Sequence, residues 1–153
     1  MALYLVQHGR SLPKEIDPER GLSDEGRADT ERIAGVARGY GVKVRLIRHS
    51  GKKRALQTAE IYGDALLPPG GVEESAGLAP LDDVGTLAGT IDADGDVMLV
   101  GHLPSLERLT SFLITGSAEK PVFTFQNSGI VCLDRDREKS HWSIRWALMP
   151  KVG

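Results

Sequence analysis

A single cysteine among 153 residues leaves nothing for an internal disulfide, so the chain carries no mark of an oxidising compartment. Cys132 falls inside the apolar run Ile130–Leu133 and reads as a small core residue. Long hydrophobic runs are missing too, with no stretch near the roughly 20 apolar residues that span a bilayer. Residues 1–6 are too short, and lack the basic leader, for a secretory signal, so a soluble cytoplasmic protein without a membrane partner is expected. Neither sign of charge dominates: the formal net charge of -2 argues against bulk nucleic-acid binding. The four histidines show no short-range pairing, and neither Cys-x-x-Cys nor His-Glu-x-x-His occurs. Gly51-Lys52 is followed by Lys53 rather than Ser or Thr, which denies the chain a complete Walker loop. No metal and no cofactor is therefore expected. Repeats and low-complexity tracts are absent, and the length suits one domain over residues 1–153 with enough chain to bury a core.

What is present begins with Leu3-Tyr4-Leu5-Val6, an apolar run without polar alternation that suits a strand covered on both faces. It stops at Gln7-His8-Gly9, which puts His8 at the carboxyl end of a central strand, where open α/β sheets bind their ligands. Asp96–Val100 repeats the arrangement and ends in Gly101-His102. Two histidines leaving two buried strands at their loop ends can face each other across one pocket.

Between and beyond these strands the patterning alternates. Pro13–Gly21 is polar and proline-punctuated, a loop over the first strand's end. Ser23 is placed to cap a helix whose first turn holds Asp24 and Glu25, with Leu22 as its apolar staple and Gly39 and Gly41 as its close. The spacing predicts a strand over Val42–Ile47, a helix over Lys52–Leu66 and a break at Pro68–Gly71. An edge strand within Val72–Leu78 and a short helix from Asp82 to Ala88 follow, with a turn at residues 92–95. Pro104 suits the first turn of a helix reaching Ile114. Val122–Phe125, Gly129–Asp134 and Trp142–Leu148 read as strands, the last two an antiparallel hairpin turning at residues 135–140. The expected fold is a three-layer α/β/α sandwich with a mostly parallel sheet and an antiparallel C-terminal strand.

Facing imidazoles suit phosphoryl chemistry: a neutral ring attacks phosphorus, and fixed cations hold the charge spread over three oxygens. Residues 43–54 supply six basic side chains and no acidic one. Arg54 stands out among them, because it lies at the start of a helix adjoining the second strand's end, from which a guanidinium reaches an anion bidentately. His49 and His141 read as bystanders.

Gln7-His8-Gly9, Leu22-Ser23-x-x-Gly26, Ser50-Gly51-Lys52-Lys53-Arg54-Ala55-Leu56-Gln57-Thr58-Ala59 and Gly101-His102-Leu103-Pro104 together resemble the histidine phosphatase, or phosphoglycerate mutase-like, superfamily. The short length and the Gly-His-Leu-Pro turn are similar to its small SixA-type phosphohistidine phosphatases. The resemblance implies that His8 is a nucleophile that becomes phosphohistidine. It also implies that Arg54 and His102 bind the phosphoryl group, with His102 charged or donating a hydrogen bond. Gln7, Gly9, Arg10, Ser11 and Leu103 would line the substrate site. The implied partner is a protein carrying phosphohistidine, such as a histidine phosphotransfer domain, or else a small phosphate ester.

Two departures bear on activity. The family motif opens with arginine, and Gln7 replaces it; a lost charge-assisted contact costs about 1.5–3 kcal/mol unless a neighbour substitutes, and Arg10 is the candidate. The glutamate that serves many relatives as proton donor has no counterpart near Gly77–Pro80, where Glu73, Glu74, Asp82 and Asp83 are the nearest carboxylates. Asp82 and Asp83 suit a helix start better than an acid role. An alkoxide leaving group needs an acid more than the labile P–N bond of phosphohistidine does, so the missing acid points to phosphohistidine. A small-molecule phosphomonoesterase and a non-catalytic phosphate- or phosphoprotein-binding module are the alternatives.

Overall fold

A computed structural model describes residues 2–91, 95–136, 138 and 141–152. The turn expected at residues 92–95, apart from residue 95, and residues 137, 139 and 140 of the hairpin turn lie outside them. Two uniformly apolar strands form the centre. In β1 (Ala2–Gln7) and β4 (Val97–Gly101) every residue is buried, and the two run parallel from Leu3 opposite Val97 to Gln7 opposite Gly101. β2 (Leu46–His49) lies parallel on the other side of β4, and the short β3 (Val72–Glu74) forms one edge. β5 (Ile130–Asp136) pairs antiparallel with β1, and β6 (His141–Leu148) closes the other edge, giving the order β3-β2-β4-β1-β5-β6.

The period-2 geometry of strands sorts the side chains into two layers. Tyr4, Val6, Met98 and Val100 pack against α1 (Asp24–Gly39) and α2 (Lys53–Leu66), meeting Ile33, Ala34, Ala59 and Tyr62. Leu3, Leu5, Val97 and Leu99 face the other way, towards α3 (Val84–Gly89) and α4 (Ser105–Thr115), among Val84, Leu87, Leu106 and Leu109. The architecture is the expected three-layer sandwich. Ser23 caps α1 by accepting the Gly26 N–H at 3.0 Å, and Asp83 caps α3 through Thr86 N–H at 2.9 Å.

Three expectations need correction. The second strand starts at Leu46, not Val42, and runs on through His49. Val42 N–H bonds back to Ala37 C=O to finish the end of α1, and Arg45 N–H bonds to Asp96 C=O, so pairing with β4 starts only at Leu46. Residues 122–125 form no strand, since the sheet edges are taken by β3 and β6. Their apolar side chains pack instead: Phe125 is buried on the α4 side and meets Phe123 edge-on at 5.3 Å. Arg135 belongs to β5 rather than to the turn.

Because β1, β2 and β4 run parallel, they end on one side of the sheet. His8, Ser50 and His102 each follow one of these ends, with His8 N–H bonded to Gly101 C=O at 3.1 Å across the seam between β1 and β4.

Candidate active site

The backbone of His8 is held at every available point. Its carbonyl accepts from Asn127 Nδ2 at 2.8 Å, and the next amide, Gly9 N–H, donates to Thr58 Oγ1 at 2.9 Å. Gly9 must be glycine here, since a Cβ would meet Thr30 Oγ1 at 2.8 Å and Gly26 O at 3.1 Å. The ring is fixed as well: Nδ1 lies 2.7 Å from Gly9 C=O, an acceptor only, so Nδ1 carries the proton and Nε2 keeps its lone pair.

His102 is buried, with its ring centroid 5.0 Å from that of His8. Its Nε2 shares a 2.6 Å hydrogen bond with Ser50 Oγ, while Nδ1 is buried and has no hydrogen-bond partner among the described residues. Burial pushes the His8 imidazolium down to about 4, with Arg54 and Arg20 adding to the effect against the opposing pull of the Gly9 carbonyl. His102 is pushed down to about 3 by burial first, then by His8, Arg54 and Lys52. Both rings are therefore neutral in the free protein at pH 7. The charge expected on His102 has to come with an anion, or the ring acts as a neutral donor.

Arg54 sits half-buried in the first turn of α2 and is one of two guanidiniums that His8 feels. The other is Arg20, not Arg10. Arg10 turns outward and pairs with Glu25 at 3.2 Å, both side chains about half exposed. Arg20 is presented by the loop over the first strand's end, in a left-handed conformation (φ 53°), and donates to Ser11 Oγ at 3.2 Å. The loop is pinned beneath it: Asp17 accepts from Lys53 Nζ at 2.9 Å and from Gly21 N–H at 2.8 Å. Ser11 thus orients a cation instead of standing alone. Gln7 and Leu103 line a neighbouring cavity with Arg10, Asn127 and Lys151, and the Gln7 Oε1 atom is buried without a hydrogen-bond partner among the described residues.

Sequence reading missed Arg20 and Asn127. Arg20 had a signal, as the one arginine in the loop expected to cover the site. Asn127 had a weaker one, as a polar residue in a turn just before a strand.

Of the four carboxylates nearest the motif, three are engaged by other groups and the fourth, Glu74, sits beside His49. Glu73 pairs with Arg48 at 3.0 Å, Asp82 accepts from Ala79 N–H at 2.9 Å, Asp83 caps α3, and Glu74 lies against Gly51, where its charge acts on His49. No carboxylate figures among the groups acting on His8 or His102. His49 is buried and accepts Gly51 N–H at Nδ1, so it shapes the turn that holds Ser50. His141 starts β6, away from these strand ends. Among the described residues, no group of three or more His, Cys, Asp or Glu is placed to hold a metal ion. Two neutral imidazoles within reach of the Arg54 and Arg20 charges, with no carboxylate acting on either ring among the described residues, can bind a tetrahedral oxyanion and offer it one nucleophilic nitrogen.

No family model matches the chain. It is 29% identical to the phosphohistidine phosphatase SixA of Escherichia coli strain K12 over 156 residues, covering 98% of this chain and 94% of that protein. Its fold matches the structure of the protein histidine phosphatase SixA complexed with tungstate, with a TM-score of 0.85 and 28% identity over 98% of this chain and 97% of that one. A mycobacterial glucosyl-3-phosphoglycerate phosphatase shares the fold at a TM-score of 0.72 and 16% identity, over 95% and 97% of the two chains.

Proposed function

We infer that the chain belongs to the histidine phosphatase superfamily, as a small phosphohistidine phosphatase of the SixA type. From that premise the residues take roles. His8 Nε2 attacks the phosphorus of a phosphohistidine side chain, the P–N bond to the substrate imidazole breaks, and the departing ring takes its proton from solvent. Water then attacks the phosphorus on His8, releasing inorganic phosphate and restoring the neutral imidazole. Arg54 and Arg20 hold the phosphoryl oxygens in forked geometry, with Arg20 standing in for the arginine that Gln7 replaces. His102 Nδ1, unpartnered among the described residues, meets a phosphoryl oxygen once it carries a proton, while Ser50 holds the far side of the ring. An unsatisfied buried nitrogen costs about 1–3 kcal/mol, which the bound anion would recover.

The observation that carries this reading is the His8 ring: its proton fixed on Nδ1 by the Gly9 carbonyl, 5.0 Å from the His102 ring, and within reach of the charges of Arg54 and Arg20. The acid-free surroundings support a phosphoramidate over an ester, because an alkoxide could not leave without a proton from the protein. Such a substrate comes from a soluble protein presenting phosphohistidine in the cytoplasm, a histidine phosphotransfer domain being of that kind.

The test is chemical trapping. A labelled phosphohistidine donor mixed with the protein and quenched in alkali should leave acid-labile label on the wild type and none on His8→Ala. Full turnover by a folded His8→Ala protein would sink the proposal.

A further inference from the structure

Beside Arg54 runs a groove of about 750 Å³, with Lys14, Glu19 and Arg20 on one wall and Lys52, Lys53 and Glu60 on the other. Besides Glu60, which sets one carboxylate against them, its charges divide into three sets. Lys53 is spent on Asp17 at 2.9 Å and Glu19 at 3.7 Å. Arg20 and Arg54 are near enough to His8 to act on its ring. Lys14 and Lys52 are exposed, and their ammonium groups form no hydrogen bond or ion pair among the described residues. The groove shares Arg20 and Arg54 with the site, and the charge of Lys52 also reaches His102. The cavity on the opposite flank differs, because its cations Arg10 and Lys151 both pair with Glu25, at 3.2 and 3.3 Å.

The chain as a whole carries a net charge of -2, so the surplus positive charge is local to one side of the site. Because Arg20 and Arg54 line the groove and act on His8, the groove lies next to where residues flanking a bound phosphohistidine would sit. Compact, well-hydrated ammonium groups on flexible stems suit mobile carboxylates better than a single rigid ligand.

We propose that this groove, with Lys14 and Lys52 as its unpaired cations, seats acidic side chains flanking the phosphohistidine of the partner protein. The inference rests on the phosphohistidine reading and adds to it which partners are preferred. Charges at such a rim act chiefly on the rate of encounter, and they weaken as salt rises.

The experiment compares two phosphohistidine peptides, one with Asp and Glu around the histidine and the other with Asn and Gln at those positions. Each is assayed with the wild type and with Lys14→Gln/Lys52→Gln, at low and high salt, and free phosphoramidate serves as a small donor. Expected is a preference of about tenfold in kcat/KM for the acidic peptide with the wild type at low salt. That ratio should fall towards one in the double variant and at high salt. Taking it within each protein cancels any change in the chemical step. Equal use of both peptides by the wild type, or an undiminished preference in the double variant, overturns the inference while leaving the phosphatase reading intact. A wild type that turns over neither phosphoramidate nor either peptide overturns the phosphatase reading, and this inference with it.

Discussion

Burial governs the two histidines more than their charged neighbours do, and it does so in the direction a nucleophile needs. With folded values of about 4 and about 3 against an ordinary 6.5, both rings should stay neutral down to mildly acidic pH. In an NMR titration of the free protein, neither imidazole should begin to protonate before the pH has fallen below about 5. A His8 ring titrating near 6.5 would contradict the buried, proton-fixed nitrogen described above. The arginines give a second residue-scale outcome. Arg20→Ala should raise the inhibition constant for vanadate about tenfold or more, the loss of one charge-assisted contact, and Arg10→Ala should cost clearly less. The placing of His8 and His102 after buried strands and of Arg54 at a helix start was legible in the sequence because each adjoins a strongly patterned element. Arg20 was marked only as the one arginine of the covering loop, because the path of that loop depends on Asp17 and Lys53 meeting across 36 positions of chain.

At the scale of elements, the approach of α1 to the loop after β1 sets the depth of the site. Gly26, one turn into α1, lies so close to Arg10 that an added Cβ would fall 2.1 Å from the Arg10 carbonyl oxygen. That oxygen belongs to the backbone and already accepts Ser23 N–H at 2.9 Å, so it has little room to yield. Gly26→Ala should therefore destabilise the fold by about 1–3 kcal/mol, read as a lower urea midpoint, and should raise KM with it. Elements were readable where local chemistry sufficed, as at the Ser23 cap and in the unbroken apolar runs of β1 and β4. They were misread where a distant partner decided the outcome. Val42–Arg45 has strand composition, but Val42 is tied to the end of α1 and the ladder with β4 begins only at Leu46, while Phe123 and Phe125 pack on a face of the sheet instead of joining it.

For the whole molecule, the depressed histidines link the site to global stability. In the pH window between 6.5 and about 4 for His8, and down to about 3 for His102, the unfolded chain takes up protons that the folded one refuses. Their contribution is complete above pH 6.5 and is lost as the pH falls through the folded values. Urea midpoints should decline across that window, and the decline should be shallower in the double variant His8→Asn/His102→Gln. A profile of unchanged steepness would assign the acid sensitivity to other groups.

The hydrogen bond from His8 N–H to Gly101 C=O means that the two imidazoles share no short stretch of chain and meet only when the β1–β4 seam has zipped to its end. Phosphatase turnover then doubles as a gauge of folding. Loss of activity in denaturant should track the far-UV signal without a preceding phase, and a fragment ending before Val97 should be inert however much helix it retains.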